Sequence, residues 1–141
     1  MKMRWAVRAG VLGLALFLVG CAGTFGLPET APGPGVPRIA NLQFDPNVVS
    51  VGQTTQMSFY FEVGSADIEE GFLIERGISQ FQFFQSLQTI SLDLKKYAGQ
   101  VAATVEAPLR WNSEGVRLLE LYVVSKKGNV SNHLRAYLTV R

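Results

Sequence analysis

The stretch that decides the fold is Thr54-Thr-Gln-Met-Ser-Phe-Tyr-Phe-Glu-Val63. Met57, Phe59, Phe61 and Val63 fall on one phase of a two-residue repeat, and Ser58, Tyr60 and Glu62 fall on the other. A chain whose side chains alternate between two faces in this way is a half-buried β-strand. Working outward, the same signature recurs in short runs rich in β-branched and aromatic residues. Ile39 to Phe44 is one such run, broken by Asp45-Pro46-Asn47, after which Val48 to Val51 resumes and Gly52-Gln53 turns into the deciding strand. Downstream, Thr89 to Leu94 alternates through Ile90, Leu92 and Leu94, Lys95 to Gly99 reads as a turn, and Val101 to Ala107 extends as far as Pro108. Val116 to Ser125 and His133 to Arg141 flank a Lys126-Lys-Gly-Asn129 turn. Between Ser79 and Gln88 two patterns compete, a strand with Phe81 and Phe83 in phase and a helical stripe of Phe81, Phe84 and Leu87, of which the strand is preferred. About seven short strands at roughly 8–12 residue spacing predict an all-β protein with a single antiparallel β-sandwich.

The residues before this domain read differently. Lys2, Arg4 and Arg8 precede an uncharged apolar run from Ala9 to Gly20, the pattern of an export signal. As a helix that run spans about 18 Å, too short for a hydrocarbon layer about 30 Å thick. Cys21, the single cysteine, follows directly and rules out an intramolecular disulfide. From Ala22 to Pro37 the chain holds four prolines and four glycines in 16 residues, the composition of an extended semi-flexible spacer. The expected organisation is therefore a cleaved signal over 1–20, a linker over 21–37 and a folded domain over 38–141.

Leu18-Val19-Gly20-Cys21 resembles the lipobox of bacterial lipoproteins. The resemblance implies lipidation of Cys21, cleavage before it, and a membrane anchor of two or more acyl chains, each buried methylene contributing about 0.8 kcal/mol. Ala22 in place of aspartate resembles the sorting signal for the outer membrane, facing the periplasm, in a host with two membranes. The folded part resembles an immunoglobulin-like or fibronectin type III-like domain. Phe44-Asp-Pro46 followed by Val51-Gly52-Gln53, and Gly115-x-Arg-x-Leu-x-Leu-x-Val123 running into Lys127-Gly-Asn-Val-Ser-Asn132, carry that likeness. The chain departs from the pattern at Arg117, where such domains often keep a buried tyrosine, and at Ser125, where an aspartate often precedes the turn.

Charge and chemistry exclude more than they assign. Of 13 basic residues three, Lys2, Arg4 and Arg8, precede Cys21, which leaves ten against 11 acidic ones and a net charge near −1 for the exported part. No basic footprint for nucleic acid remains. His133, the only histidine, lies outward on the phase that buries Leu134, Ala136, Leu138 and Val140, so histidine-based catalysis and zinc binding lack partners and no enzyme activity or cofactor beyond the covalent lipid is expected. Asp67, Glu69 and Glu70 are candidate calcium ligands in a loop before Phe72, without the spacing of a calcium loop. The stronger signal is apolar. With Leu119, Leu121 and Val123 inward, Leu118, Tyr122 and Val124 point out, joined by Tyr137 on the neighbouring strand, a candidate surface for an envelope protein partner. The alternative is binding to polysaccharide or peptidoglycan through Trp111 and the tyrosines.

Overall fold

The computed structural model describes residues 35–78 and 86–141. Cys21, the linker as far as residue 34, and residues 79–85 of the contested segment lie outside the described residues; Ser86 to Gln88 are strand. The described chain forms β1 (Arg38–Asp45), β2 (Val48–Val49), β3 (Thr54–Glu62), β4 (Ile68–Arg76), β5 (Ser86–Asp93), a 3-10 turn (Lys95–Tyr97), β6 (Ala102–Arg110), β7 (Gly115–Ser125) and β8 (Leu134–Val140). They make two sheets, β1-β3-β6 and β2-β8-β7-β4-β5, in which every pairing is antiparallel except the two-residue contact of β2 with β8. The core between them is built on Phe59, Phe61, Leu73, Leu119, Leu121 and Leu138. The fold is an immunoglobulin-like β-sandwich.

β3 has the alternation its sequence predicts, with Thr55, Met57, Phe59 and Phe61 buried. The Thr55 hydroxyl, carried inward by the same phase, donates to the Pro46 carbonyl at 2.7 Å, so no buried polar group is left over there. In β1, Ile39 and Phe44 sit on opposite phases of a strict two-residue repeat yet both are buried. A bulge between Ala40 and Gln43, with Asn41 at φ 58°, switches the phase. β6 continues past the expected stop at Ala107 because it is an edge strand of its sheet, where Pro108 lacks no partner it must donate to.

The largest departure from expectation is β4. The sequence suggests a loop around Asp67 to Glu70, but Ile68–Arg76 is a nine-residue strand between β7 and β5. Its two faces are both partly covered, Leu73 facing the core and Ile74 the opposite side with each at most 9% exposed, so its sequence does not alternate. Gly71 permits close approach of β5: an added Cβ there would come within 3.3 Å of the Leu92 side chain.

Candidate functional site: the outer face of the five-stranded sheet

Register places the outward side chains of the five-stranded sheet in rows. Leu118 of β7 lies opposite Tyr137 of β8 and Arg76 of β4; Glu120 lies opposite Arg135 and Ile74; Tyr122 lies opposite Phe72; Val124 lies opposite Glu70. The four residues expected on one outward face do share that face. Their exposure corrects the expectation, however, because Leu118 is 5% exposed while Tyr137 is 63% exposed. Tyr122 and Val124 are half-buried. Leu118 is flanked on β4 by the long side chain of Arg76, which reaches diagonally from its row to Glu120 in the next and can lay its stem along the sheet.

What Arg76 reaches for is Glu120, a carboxylate at the centre of this face that is 2% exposed. Arg76 Nη2 donates to Oε1 at 3.0 Å and Arg135 Nε donates to Oε2 at 2.6 Å. His133 Nδ1 lies 3.0 Å from Oε1. An ionised carboxylate only accepts, so Nδ1 carries the proton. Burial alone would push the Glu120 carboxyl up; the hydrogen bonds from His133, Arg135 and Arg76, with the charge of Arg76, outweigh it and hold the carboxyl at about 2. Glu120 is thus a fixed negative charge that orders three cationic or polar side chains.

Beside it runs an aromatic stack from β4 across β7 to His133, the residue before β8. Phe72 and Tyr122 have ring centroids 5.2 Å apart, and Tyr122 and the imidazole of His133 are 4.9 Å apart at an interplanar angle of 16°. His133 does project outward as its phase predicts, but it is engaged on its edge by Glu120 and on its face by Tyr122. Parity along the sequence points to Tyr122, Val124 and Tyr137 but not to Glu120, Arg76, Arg135 and Phe72. The available signal was Glu120 itself, one charge in the otherwise apolar run Leu118-Leu-Glu-Leu-Tyr-Val-Val124.

A second ion pair lies at the core-side end of the same sheet. Arg117 Nη1 donates to Glu75 at 2.6 Å, and its Nη2 donates to the Ser113 carbonyl at 2.8 Å and hydroxyl at 2.6 Å. The position that departs from the sandwich pattern is therefore still a buried one, with a guanidinium in place of a phenol. Ser125, the other departure, is buried and accepts the Asn129 N–H through its hydroxyl at 3.3 Å, the turn bond an aspartate would make.

The remaining candidates separate. Asp67 and Glu69 line an open depression of about 430 Å³ together with Lys95 and Lys126, cations that oppose a calcium ion there. Asp67 takes a hydrogen bond from the Ser65 hydroxyl. Glu70, one residue on from Glu69, belongs instead to the outer-face row of Val124. Among the described residues no three acidic, histidine or cysteine side chains are grouped for a metal. Trp111 is 5% exposed and part of the core, so it offers no surface for stacking a sugar. Among the described residues no helix is long and apolar enough to cross a membrane.

No family model matches this chain, and no curated protein matches it. Among solved structures it is similar to a Niemann-Pick type C2 protein from Japanese carpenter ant, at 9% identity and TM-score 0.50 over 77% of this chain and 96% of that one. It is also similar to the PKD domain of a peptidase from a Thermoplasmatales archaeon, at 16% identity and TM-score 0.47 over 76% of this chain and 94% of that one. A CARDB domain from Pyrococcus furiosus is comparable, at 12% identity and TM-score 0.46 over 79% of this chain and 97% of that one. These likenesses concern the sandwich fold, which hosts many unrelated functions.

Proposed function

We propose that the protein is an envelope lipoprotein, anchored through Cys21, whose sandwich is a non-enzymatic module that binds or assembles with another envelope protein through the outer face of the five-stranded sheet. The observation that carries this reading is the pairing of Tyr137, 63% exposed, with an Arg135 side chain that is half-exposed yet tied to a buried Glu120. Tyrosine and arginine are the residue types on which protein interfaces concentrate their binding energy. Holding the arginine in place beforehand lowers the ordering cost of association. The burial of Trp111 removes the main support for the polysaccharide reading.

Cross-linking in native envelopes tests the surface. A defined protein partner is expected, lost on Tyr137→Ala combined with Arg135→Glu and kept on Tyr60→Ala, which lies on the other sheet. Retention on envelope glycans with no such partner would reverse the choice between the two readings, and hydrolytic activity of the pure protein would overturn both. For the anchor, intact mass should show an acyl increment that Cys21→Ser abolishes.

A further inference from the structure

The chain enters the domain at one end of the sandwich, and that end is fixed by two asparagines of the β7–β8 connection. Asn132 uses both ends of its amide on one residue, donating Nδ2 to the Ile39 carbonyl at 2.9 Å and accepting the Ile39 N–H on Oδ1 at 2.8 Å. Asn129 Nδ2 donates to the Gly35 carbonyl at 3.1 Å. Pro37 between them is buried, and Gly35 adopts φ +79°, a turn that favours glycine. Gly35 to Ile39 are therefore held against this end of the fold.

Lys126 and Lys127 open the turn that holds Asn129, and Gly128 closes it at φ 82° with its N–H on the Ser125 carbonyl. Lys95 shares the wall of the open depression with Lys126, and Lys96 follows it in the 3-10 turn. These four are all the lysines that follow Cys21 in the sequence, and all four side chains are exposed at the end where the linker leaves. None of them enters an ion pair among the described residues, whereas Arg76, Arg117 and Arg135 are each held by a glutamate. Of the acidic residues near this end, Glu62, Asp67 and Glu69 are half-exposed, while Glu70 and Asp93, paired across β4 and β5, are exposed and lie on the outer-face row of Val124. Val101 and Val130, 58% and 47% exposed, stand among the lysines.

We infer that this lysine-bearing end is a membrane-contact surface that rests on anionic phospholipid headgroups. The inference rests on the proposed anchoring through Cys21. Residues 21–34 extend to about 43 Å at roughly 3.1 Å each, so an anchored domain stays close enough for a weak contact to be occupied. Each lysine near an anionic surface strengthens binding about fivefold, and the contact is screened over about 8–10 Å at physiological salt. The partner face around Tyr137 then stands on the flank of the sandwich, clear of the bilayer.

The test uses the full lipidated chain in vesicles of phosphatidylcholine alone or with phosphatidylglycerol. A water-soluble amine reagent is applied, and acetylation of each lysine is followed by mass spectrometry. On anionic vesicles all four lysines should react several-fold more slowly than on neutral ones, with the difference erased at about 0.5 M salt, where screening falls to a few Å. Lys126→Glu with Lys127→Glu, both on an exposed turn, should restore fast labelling of Lys95 and Lys96. Equal labelling on the two vesicle types at low salt would overturn the contact while leaving the anchor intact. A chain that carries no acyl mass defeats the anchor instead. The unlipidated chain is then sedimented with the same vesicles, where salt-sensitive retention on the anionic ones alone sustains the contact and its absence ends it.

Discussion

Along β3 burial alternates residue by residue, whereas along β7 five successive residues, Arg117 to Leu121, are buried. Both strands are central in their sheets and both supply core from one phase, Met57, Phe59 and Phe61 in β3 and Leu119, Leu121 and Val123 in β7. The difference lies on the other phase. In β3 that phase carries Gln56, Ser58, Tyr60 and Glu62 toward solvent, as an antiparallel sheet with one wet face should. In β7 it carries Leu118 and Glu120, covered by long side chains that converge on one carboxylate. One sheet is scaffold on both counts, and the other has a built outer surface.

The core halves of the comparison should be equal. Phe61→Ala is expected to lower stability by about 3–5 kcal/mol and Leu121→Ala by about 2–5 kcal/mol in urea unfolding, since each removes a fully buried side chain and leaves a cavity. A loss below about 1 kcal/mol at either would break the claim that one core is shared by both sheets.

The next pair separates them. Tyr60→Ala, one residue from Phe61, should cost less than about 1 kcal/mol, whereas Glu120→Gln, one residue from Leu121, should cost about 1.5–3 kcal/mol because it weakens hydrogen bonds to charged groups. The pH dependence sharpens this. Glu120 has its carboxyl at about 2 in the folded protein against an ordinary 4.5, so the stability it contributes is present above 4.5 and lost as pH falls toward 2. That contribution is at most about 3 kcal/mol at about 1.4 kcal/mol per unit. Unfolding midpoints measured from pH 6 to 2.5 should fall steeply in the wild type and less in Glu120→Gln. An identical acid limb in both would show that Glu120 is not the hub of this face.

Asn132 ties the two sheets at their edges, bonding Ile39 of β1 from the residue pair that leads into β8. Asn132→Ala removes two backbone bonds, and a loss of about 1–2 kcal/mol is expected, with faster amide exchange at Ile39 than at Phe59. Uniform exchange would mean that β1 is held by its pairing with β3 alone.

The parts of this molecule that were readable in sequence are those where one face is dry and the other wet. β3 could be bounded almost to the residue, and the parity of β7 and β8 put Tyr122, Val124 and Tyr137 on one face correctly. β4 was hidden because both of its faces are covered and because Glu69-Glu70-Gly71 resembles a loop in composition. Leu118 was misjudged for a related reason: parity tells which side a residue faces and says nothing about what lies over it. The Glu120 cluster draws on Arg76, 44 residues earlier, and on Arg135, 15 residues later, so no local window contains it. The bulge in β1 is a single-residue phase change that Ile39 and Phe44, both apolar, do not betray.

The smallest expected effect on stability falls on the residue most exposed to a partner. Tyr137 is opposite Leu118 across β7 and β8, yet Leu118 is buried and Tyr137 is 63% exposed. Tyr137→Ala should therefore shift the unfolding free energy by no more than about 0.5 kcal/mol, the range of surface substitutions that touch neither core nor hydrogen-bond network. If the outer face is a binding surface, the same change should cost about 2 kcal/mol or more of affinity for the captured partner, roughly a thirtyfold rise in Kd, as removal of a central tyrosine does in other interfaces. A variant that is unchanged in both stability and capture would make the outer face of the five-stranded sheet as inert as that of β3, and the contrast between the sheets would reduce to an internally satisfied ion cluster.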